Sequence, residues 1–177
     1  MKKFSILRLV YAALCLALCI VLPFVTGQIP QFGQMLSPMH LPALLCGFLC
    51  GWQYGALVGI IAPLLRYALF GMPPIVPVGI PMAFELAAYG VVAAILYKVL
   101  SKKTINIYVA LVGAMIAGRI IGGVAKAVLL GIQNTAFPIS LFVTSYFVET
   151  VPGIISQIII VPLVVIALKK AKLIPNE

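Results

Sequence analysis

Long runs of hydrophobic residues, separated by short polar segments, dominate the chain. Four of these runs are each long enough to cross about 30 Å of hydrocarbon as an α-helix: residues 6–26, 80–100, 105–132 and 141–168. A fifth apolar stretch, residues 41–70, is longer than one crossing needs and is interrupted near Gly51 and Gln53. The pattern predicts an all-α integral membrane protein.

The basic residues decide whether residues 41–70 form one helix or two. They form three clusters beside apolar runs, which is the positive-inside pattern of membrane proteins: Lys2, Lys3 and Arg8; Lys98, Lys102 and Lys103; Lys169, Lys170 and Lys172. Two helices over residues 41–70 put all three clusters on the cytoplasmic side, whereas one helix would separate them. We therefore expect six transmembrane helices with cytoplasmic N- and C-termini, in a single domain spanning residues 1–177.

Composition supports the same class of protein. Of the residues, 64% are hydrophobic and only 8% are charged, with a mean hydropathy of +1.23, so the chain has too few charges for a soluble surface. A net charge of +9 could indicate nucleic-acid binding, but most of the cations flank apolar runs and therefore orient the chain. We expect a multi-pass protein of the cell (plasma) membrane, with the lipid bilayer and no nucleic acid as partner.

The first external loop, residues 27–40, has an unusual position. The helix expected after it, residues 41–51, would rise only about 16 Å, which is too little for a full crossing. The loop must therefore dip below the outer membrane surface, where irregular backbone is tolerated only if it is buried in protein or lines a wet cavity. We expect this long loop 1 to act as a lid over a site; the alternative is a passive connection.

Five charged residues fall within the apolar runs, where each costs roughly 2.5–3.5 kcal/mol at mid-membrane before pairing. They are Arg66, Glu85, Arg119, Lys126 and Glu149. Six crossings from a cytoplasmic N-terminus place all five in the outer half of the membrane. His40 enters at a similar depth from the first loop. The positions predict a polar site on the outer side.

Two interpretations of these charges remain open. Arg66–Glu85 and Lys126–Glu149 could be ion pairs that only fix helix packing. Alternatively, three cations against two acids leave one positive charge uncompensated in an outward-facing cavity, which suits a carboxylate or another anionic group. The candidate substrate-binding residues are these five charged residues and three polar residues from the loops: His40, Gln34 and Asn134.

Small residues recur at four-residue intervals along the expected helices. Three series have this spacing: Gly47, Gly51, Gly55 and Gly59; Gly118 and Gly122; Ala13 and Ala17. Small residues at this spacing let helix backbones approach closely, where lipid supplies no hydrophobic drive. We expect helix contacts at these positions.

Sequence signatures of catalysis and of metal binding are absent. The cysteines pair as Cys15/Cys19 and Cys46/Cys50, an i,i+4 spacing that does not give disulfide geometry within a helix, so buried thiols are expected. The sequence contains no Walker A loop, HExxH pair or GxSxG elbow. We therefore expect no enzyme, no cofactor and no metal, and any ATP hydrolysis must take place in partner subunits.

Two short motifs carry a resemblance to a known family. Residues 39–55 are similar to the "(V/I)PxLLxGxxxGxxxG" pattern between helices 2 and 3 of the S components, the substrate-binding membrane subunits of energy-coupling factor (ECF) vitamin transporters. Ala13 and Ala17 resemble the AxxxA notch through which many S components dock on the transmembrane coupling subunit. The size, the six spans and the short second helix are also similar, whereas several relatives carry an acidic residue where this chain has His40.

The resemblance implies a high-affinity binding subunit for uptake of a small vitamin or vitamin precursor by an ECF-type ABC transporter. It implies binding on the outer side beneath loops 1, 3 and 5, followed by toppling in the membrane. The implied partners are a transmembrane coupling subunit and two ATPase subunits. The charge surplus favours an acidic compound such as pantothenate, folate, biotin or lipoate, and a neutral or zwitterionic ring compound stays open. The alternatives are a stand-alone proton-coupled secondary transporter of a small metabolite and a membrane enzyme.

Overall fold

The computed structural model describes residues 6–25, 30–101 and 103–174, without the side chains of Pro30, Phe32 and Gln34. Lys2, Lys3, Lys102 and the side chain of the candidate residue Gln34 therefore lie outside the described part. Eight α-helices run along the described residues: α1 Ile6–Val25, α2 Pro30–Leu36, α3 His40–Cys50, α4 Trp52–Phe70, α5 Ile80–Val99, α6 Thr104–Ile132, α7 Ile139–Val143 and α8 Val151–Lys170. A kinked segment, Ile75–Gly79, in which Val76 is extended, precedes α5, and a π-helical turn, Thr144–Val148, follows α7.

Five segments are long and apolar enough to cross a membrane: α1, α4, α5 with the segment before it, α6 and α8. The predicted all-α multi-pass membrane protein is confirmed by these helices. The sixth predicted crossing falls on α3, whose 11 residues rise only about 16 Å. Large hydrophobic side chains such as Leu14, Leu57 and Ile120 are exposed on the outside of the bundle, as a lipid-facing surface requires.

The break between α3 and α4 lies at Gly51, as the sequence predicts. Gly51 has φ 92° and ψ 175°, a backbone conformation that L-residues with side chains rarely adopt. At the other end of α4, Gly71 (φ 70°) terminates the helix in the left-handed conformation. The two glycines set the limits of α4, the helix that carries Arg66.

Helix α3 lies in the middle of the bundle. It contacts α1, α4, α5 and α8, and α5 in turn packs against α4 and α6. Nine of the 11 residues of α3 are buried. All four cysteines are buried as free thiols, Cys15 and Cys19 on α1 and Cys46 and Cys50 on α3, as predicted.

Glycines bring α3 and α4 against α5. A Cβ atom at Gly47 would lie 2.5 Å from the Gly90 carbonyl oxygen, and one at Gly55 would lie 2.9 Å from the Gly90 carbonyl carbon. Gly59 packs on the backbone of α5 at Leu86 and Ala87. The predicted close helix contacts are confirmed at these positions, whereas Gly51, in the same series, forms the helix break instead.

The predicted continuous helix over residues 141–168 is wrong. The chain forms α7 and the segment Thr144–Val148, turns at Glu149 and Thr150, and begins again as α8. Pro152 is the physical reason, since it lies in the first turn of α8. In a continuous helix Pro152 would lack an amide donor and its ring would clash with the carbonyl group four residues earlier.

The first loop is more ordered than the predicted irregular backbone, because residues 30–36 form α2. Even a helix of this length satisfies some of its own backbone polar groups, which lowers the cost of placing it near lipid. Helix α2 packs against α8: a Cβ atom at Gly153 would lie 2.8 Å from the Met35 carbonyl oxygen and 2.9 Å from the Leu36 carbonyl oxygen.

Candidate substrate-binding site

A cavity of about 370 Å³ opens at one end of the bundle. Its wall is built from the C-terminal ends of α1 and α4, the C-terminal half of α6, the N-terminal ends of α3 and α5, and the turn before α8. The first loop contributes Gly33, Ser37 and Pro38. These elements meet here because successive helices run in opposite directions.

Five of the eight candidate residues line this cavity: His40, Arg66, Glu85, Arg119 and Lys126. The structure therefore brings together one candidate from each of α3, α4 and α5, and two from α6. Glu149 and Asn134 are exposed and do not line the cavity. The side chain of Gln34, the eighth candidate, lies outside the described residues.

Glu85 and Arg119 are connected through Tyr89. Arg119 Nε donates a hydrogen bond to the Tyr89 hydroxyl over 3.0 Å, and this hydroxyl donates to Glu85 Oε1 over 2.9 Å. His40 Nε2 lies 3.4 Å from the same carboxylate oxygen. All four side chains are buried. A hydroxyl can accept and donate at once, so Tyr89 joins two charges that form no direct contact.

Among these four connected side chains, Tyr89 is the one that the sequence hypothesis did not assign to the site. Its signal is the i,i+4 spacing from Glu85 on α5, which places both side chains on one helix face. The space for both side chains comes from α6. A Cβ atom at Gly118 would overlap the Tyr89 ring, and one at Gly122 would lie 2.7 Å from Glu85 Cβ. The Gly118 and Gly122 pair thus accommodates two polar side chains between α5 and α6.

Arg119 also holds the broken helix before α8. Its Nη1 donates to Thr150 Oγ1 over 2.7 Å and to the Tyr146 carbonyl oxygen. Thr150 Oγ1 donates to the same carbonyl over 2.7 Å. The guanidinium carbon lies 5.5 Å from the centre of the Phe147 ring. Arg119 therefore donates several of its hydrogen bonds to other groups of the protein.

Arg66 is oriented towards α1. Its Nη1 donates to the Ile20 carbonyl oxygen, and its guanidinium lies 5.0 Å from the Phe24 ring centre and 5.4 Å from that of Phe70. The Arg66–Glu85 ion pair considered from the sequence does not form among the described residues, where Glu85 contacts His40 and Tyr89. Arg66 ties the ends of α1 and α4 together at the cavity wall.

Lys126 is half-buried between two aromatic rings. Its Nζ lies 5.4 Å from the centre of the Phe137 ring and 5.8 Å from that of Tyr146. An ammonium group is attracted to the faces of such rings. These contacts hold Lys126 at the cavity under the segment that joins α6 to α7.

The cavity combines a positive charge with a mostly apolar wall. Three cations and one carboxylate line it, which gives a net charge of two positive with His40 neutral. Most other lining side chains are aliphatic, including six prolines and three methionines. Four of these prolines are close together in the sequence, before and at the start of α5: Pro73, Pro74, Pro77 and Pro81. Their clustering is a sequence signal for the wall that the hypothesis did not use.

Comparison with known proteins identifies the family. The model of the family described as "ECF transporter, substrate-specific component" matches residues 7–167, which is nearly the whole chain. No curated protein and no solved structure matches the chain significantly. Components of this kind bind the transported small molecule, associate with the other components of an ECF transporter and are not enzymes. The chain belongs to the family of substrate-specific components of ECF transporters.

Proposed function

We propose that this chain captures a small anionic vitamin or vitamin precursor outside the cell, for uptake by an ECF-type ABC transporter. The observation that carries the proposal is the cavity, where three cations face a single carboxylate within an otherwise apolar wall. An anionic group on the ligand would compensate this surplus of positive charge. The apolar part of the ligand would pack against the prolines and methionines of the wall.

The topology that we propose has six crossings, with α3 as the short one. The cavity lies at the end of the bundle where α1 ends and α3 begins. Arg8, Lys98 and Lys169 lie near the opposite helix ends. The positive-inside rule puts that opposite end in the cytoplasm, so the cavity opens outside the plasma membrane. Loop 1, with α2, is the proposed lid, since its residues Gly33 and Ser37 line the cavity.

Within the cavity, Lys126 is the principal anion-binding group that we propose. It contacts two aromatic rings, and among the described residues no hydrogen bond uses its ammonium donors. Arg119 has a secondary role in binding the anion. Two of its nitrogens, Nε and Nη1, already donate hydrogen bonds to Tyr89, Thr150 and Tyr146. Arg66, Glu85 and His40 complete the wall; Glu149, Asn134 and Gln34 stay unassigned.

The partners that we propose are a transmembrane coupling subunit and two ATPase subunits. Ala13 and Ala17 are both exposed on α1, one turn apart, which leaves a flat strip on the lipid-facing surface. A helix of the coupling subunit can approach such a strip closely. Family membership favours this subunit role over a stand-alone proton-coupled secondary transporter.

The experiment that tests the proposed function is identification of the bound compound. The chain is purified in mild detergent and denatured, and the released small molecules are quantified by mass spectrometry. We expect one dominant acidic compound at near-stoichiometric amount. A protein that releases nothing, and that binds nothing from a panel of acidic vitamins and their precursors, would contradict the proposal.

A second measurement separates the two transport mechanisms. Uptake of the identified compound is followed in cells that carry or lack the ATPase subunits. We expect uptake to be lost without them. Uptake that persists, and that collapses when the proton gradient is removed, would support the secondary transporter instead.

A further inference from the structure

Glu85 has a carboxylate oxygen that receives no hydrogen bond from the described residues, and we infer that this oxygen recognises an N–H or O–H group on the ligand. The inference rests on the proposed function and narrows it. The ligand is then an acid that carries a hydrogen-bond donor close to its anionic group.

The two oxygens of Glu85 have different surroundings. Oε1 accepts from the Tyr89 hydroxyl over 2.9 Å and lies 3.4 Å from His40 Nε2. Oε2 has no hydrogen-bond donor among the described residues; its position is marked by Gly122, whose Cβ, if present, would lie 3.2 Å away. The side chain is 9% exposed and lines the cavity. A buried carboxylate therefore presents one unused acceptor at the wall of the site.

Oε2 is not among the buried side-chain atoms of the described residues that lack a partner, so its cost arises when a ligand covers it. A carboxylate group offers about four lone-pair directions, and Tyr89 and His40 occupy the side of one oxygen only. A ligand that covers Oε2 without offering a donor displaces water and leaves the acceptor unpaired, which weakens binding. Neither Arg66 nor Arg119 forms an ion pair with this carboxylate among the described residues. A donor brought by the ligand would satisfy the acceptor when the cavity is filled.

The place on α6 against which the Glu85 side chain packs sets the spacing within the ligand. Its carboxylate lies against Gly122, which is three residues after Arg119 and four before Lys126. Along a helix these offsets correspond to about 4.5 and 6 Å. The acceptor therefore lies between two cations, each about one helical turn away. A ligand whose acid group meets Lys126 would place its donor about 6 Å away, towards the N-terminal end of α6.

This arrangement defines a chemical class. The ligand would be a hydroxylated, amino or amide-bearing acid with an apolar remainder against the prolines and methionines of the wall. A plain alkyl carboxylate, which has no donor, would leave Glu85 unsatisfied and would bind less well. The competing account is that Glu85 only balances the charge of Arg119 and Lys126. In that account a donor on the ligand makes no difference.

The test compares Glu85→Gln with Lys98→Gln, a substitution that removes a charge from an exposed residue of the same helix, outside the cavity. In Glu85→Gln the amide oxygen can still accept from Tyr89, so the amide nitrogen then faces the ligand donor and opposes it. We expect affinity for the compound released from the wild-type protein to fall about 10- to 100-fold in Glu85→Gln. We expect Lys98→Gln to keep wild-type affinity.

A second arm uses the wild-type protein alone and so does not depend on the folding of a variant. The released compound is compared with its analogue in which a methyl group replaces the donor, so that no N–H or O–H remains there. We expect a similar loss of affinity for the analogue. The inference is overturned if the released compound has no donor near its acid group, if Glu85→Gln binds that compound like wild type, or if the wild-type protein binds the analogue as tightly as the compound. In those outcomes ligand binding persists and the proposed function stands, whereas a protein that binds no acidic compound would refute both.

Discussion

Arg119 and Glu85 are held together by a hydroxyl group and not by direct contact. The Tyr89 hydroxyl accepts from Arg119 Nε at 3.0 Å and donates to Glu85 Oε1 at 2.9 Å. In a direct ion pair, the guanidinium of Arg119 and the carboxylate of Glu85 would have been each other's hydrogen-bond partners. The hydroxyl bridge instead keeps Arg119 directed towards Thr150 and leaves part of Glu85 at the cavity.

Removing this bridge should destabilise the protein. Tyr89→Phe keeps the ring between α5 and α6 but takes away one acceptor and one donor from buried charged groups. We expect a loss of about 1–3 kcal/mol in the free energy of unfolding, measured as a lower melting temperature in detergent. Tyr67→Phe, at a partly exposed tyrosine on α4, is the matched control and should leave the melting temperature unchanged. Equal melting temperatures for both variants would show that the bridge contributes nothing.

The glycine beside Glu85 should not tolerate a side chain. In Gly122→Ala the new Cβ would lie 2.7 Å from Glu85 Cβ, so α5 and α6 must separate or the carboxylate must move. We expect a lower melting temperature and weaker ligand retention. Gly131→Ala on the same helix meets no atom within 4 Å and is the matched control, expected to match wild type or to be slightly more stable. A Gly122→Ala protein that behaves like this control would contradict the packing described here.

Lys126 should dominate the binding of an acidic ligand. Lys126→Gln removes the charge but keeps a side chain of similar reach. We expect the amount of ligand retained through purification to fall, with a loss of affinity of about tenfold or more. Lys98→Gln removes a charge from the last turn of α5, away from the cavity, and should retain ligand like wild type. The quantity measured is the released compound per protein, by mass spectrometry. A full complement of ligand in Lys126→Gln would remove this residue from the site.

Arg119 should control the order of the segment before α8. Arg119→Lys keeps the charge, but an ammonium group cannot match the planar fork that reaches Tyr89, Thr150 and the Tyr146 carbonyl together. We expect faster amide hydrogen exchange in residues 144–151 of the variant, and unchanged exchange in α4. Uniformly faster exchange across the whole chain would indicate general unfolding and would contradict this local role.

The exposed alanines of α1 should matter for assembly and not for ligand binding. Ala13→Leu and Ala17→Leu place bulky side chains on the proposed docking strip. We expect each to reduce co-purification with the coupling subunit while the chain alone retains its ligand. Ala127→Leu, on an exposed face of α6, is the control for added bulk and should assemble normally. Normal assembly of both α1 variants would exclude this strip as the interface.

The hydrophobic pattern was sufficient to predict most of the long helices and the class of protein. In a bilayer every backbone polar group must be satisfied within the protein, so a long apolar run has few alternatives to a helix. The pattern also marked an interruption near Gly51, and the basic clusters decided that two helices form there. It missed the break at Glu149 and Thr150, since Pro152 lies within a run that is otherwise apolar. Local backbone chemistry outweighed hydrophobicity there.

The sequence by itself also determined that five charged residues fall within apolar runs, and their positions along the helices grouped four of them at one cavity. It did not determine which groups they contact. Arg66 turns to α1, Lys126 lies on two rings, and Glu85 meets Arg119 only through Tyr89. Position along a helix fixes the depth and the direction of a side chain, whereas its partner depends on the space that neighbouring helices leave. That space, including the gaps opened by Gly118 and Gly122, exists only once the helices have packed.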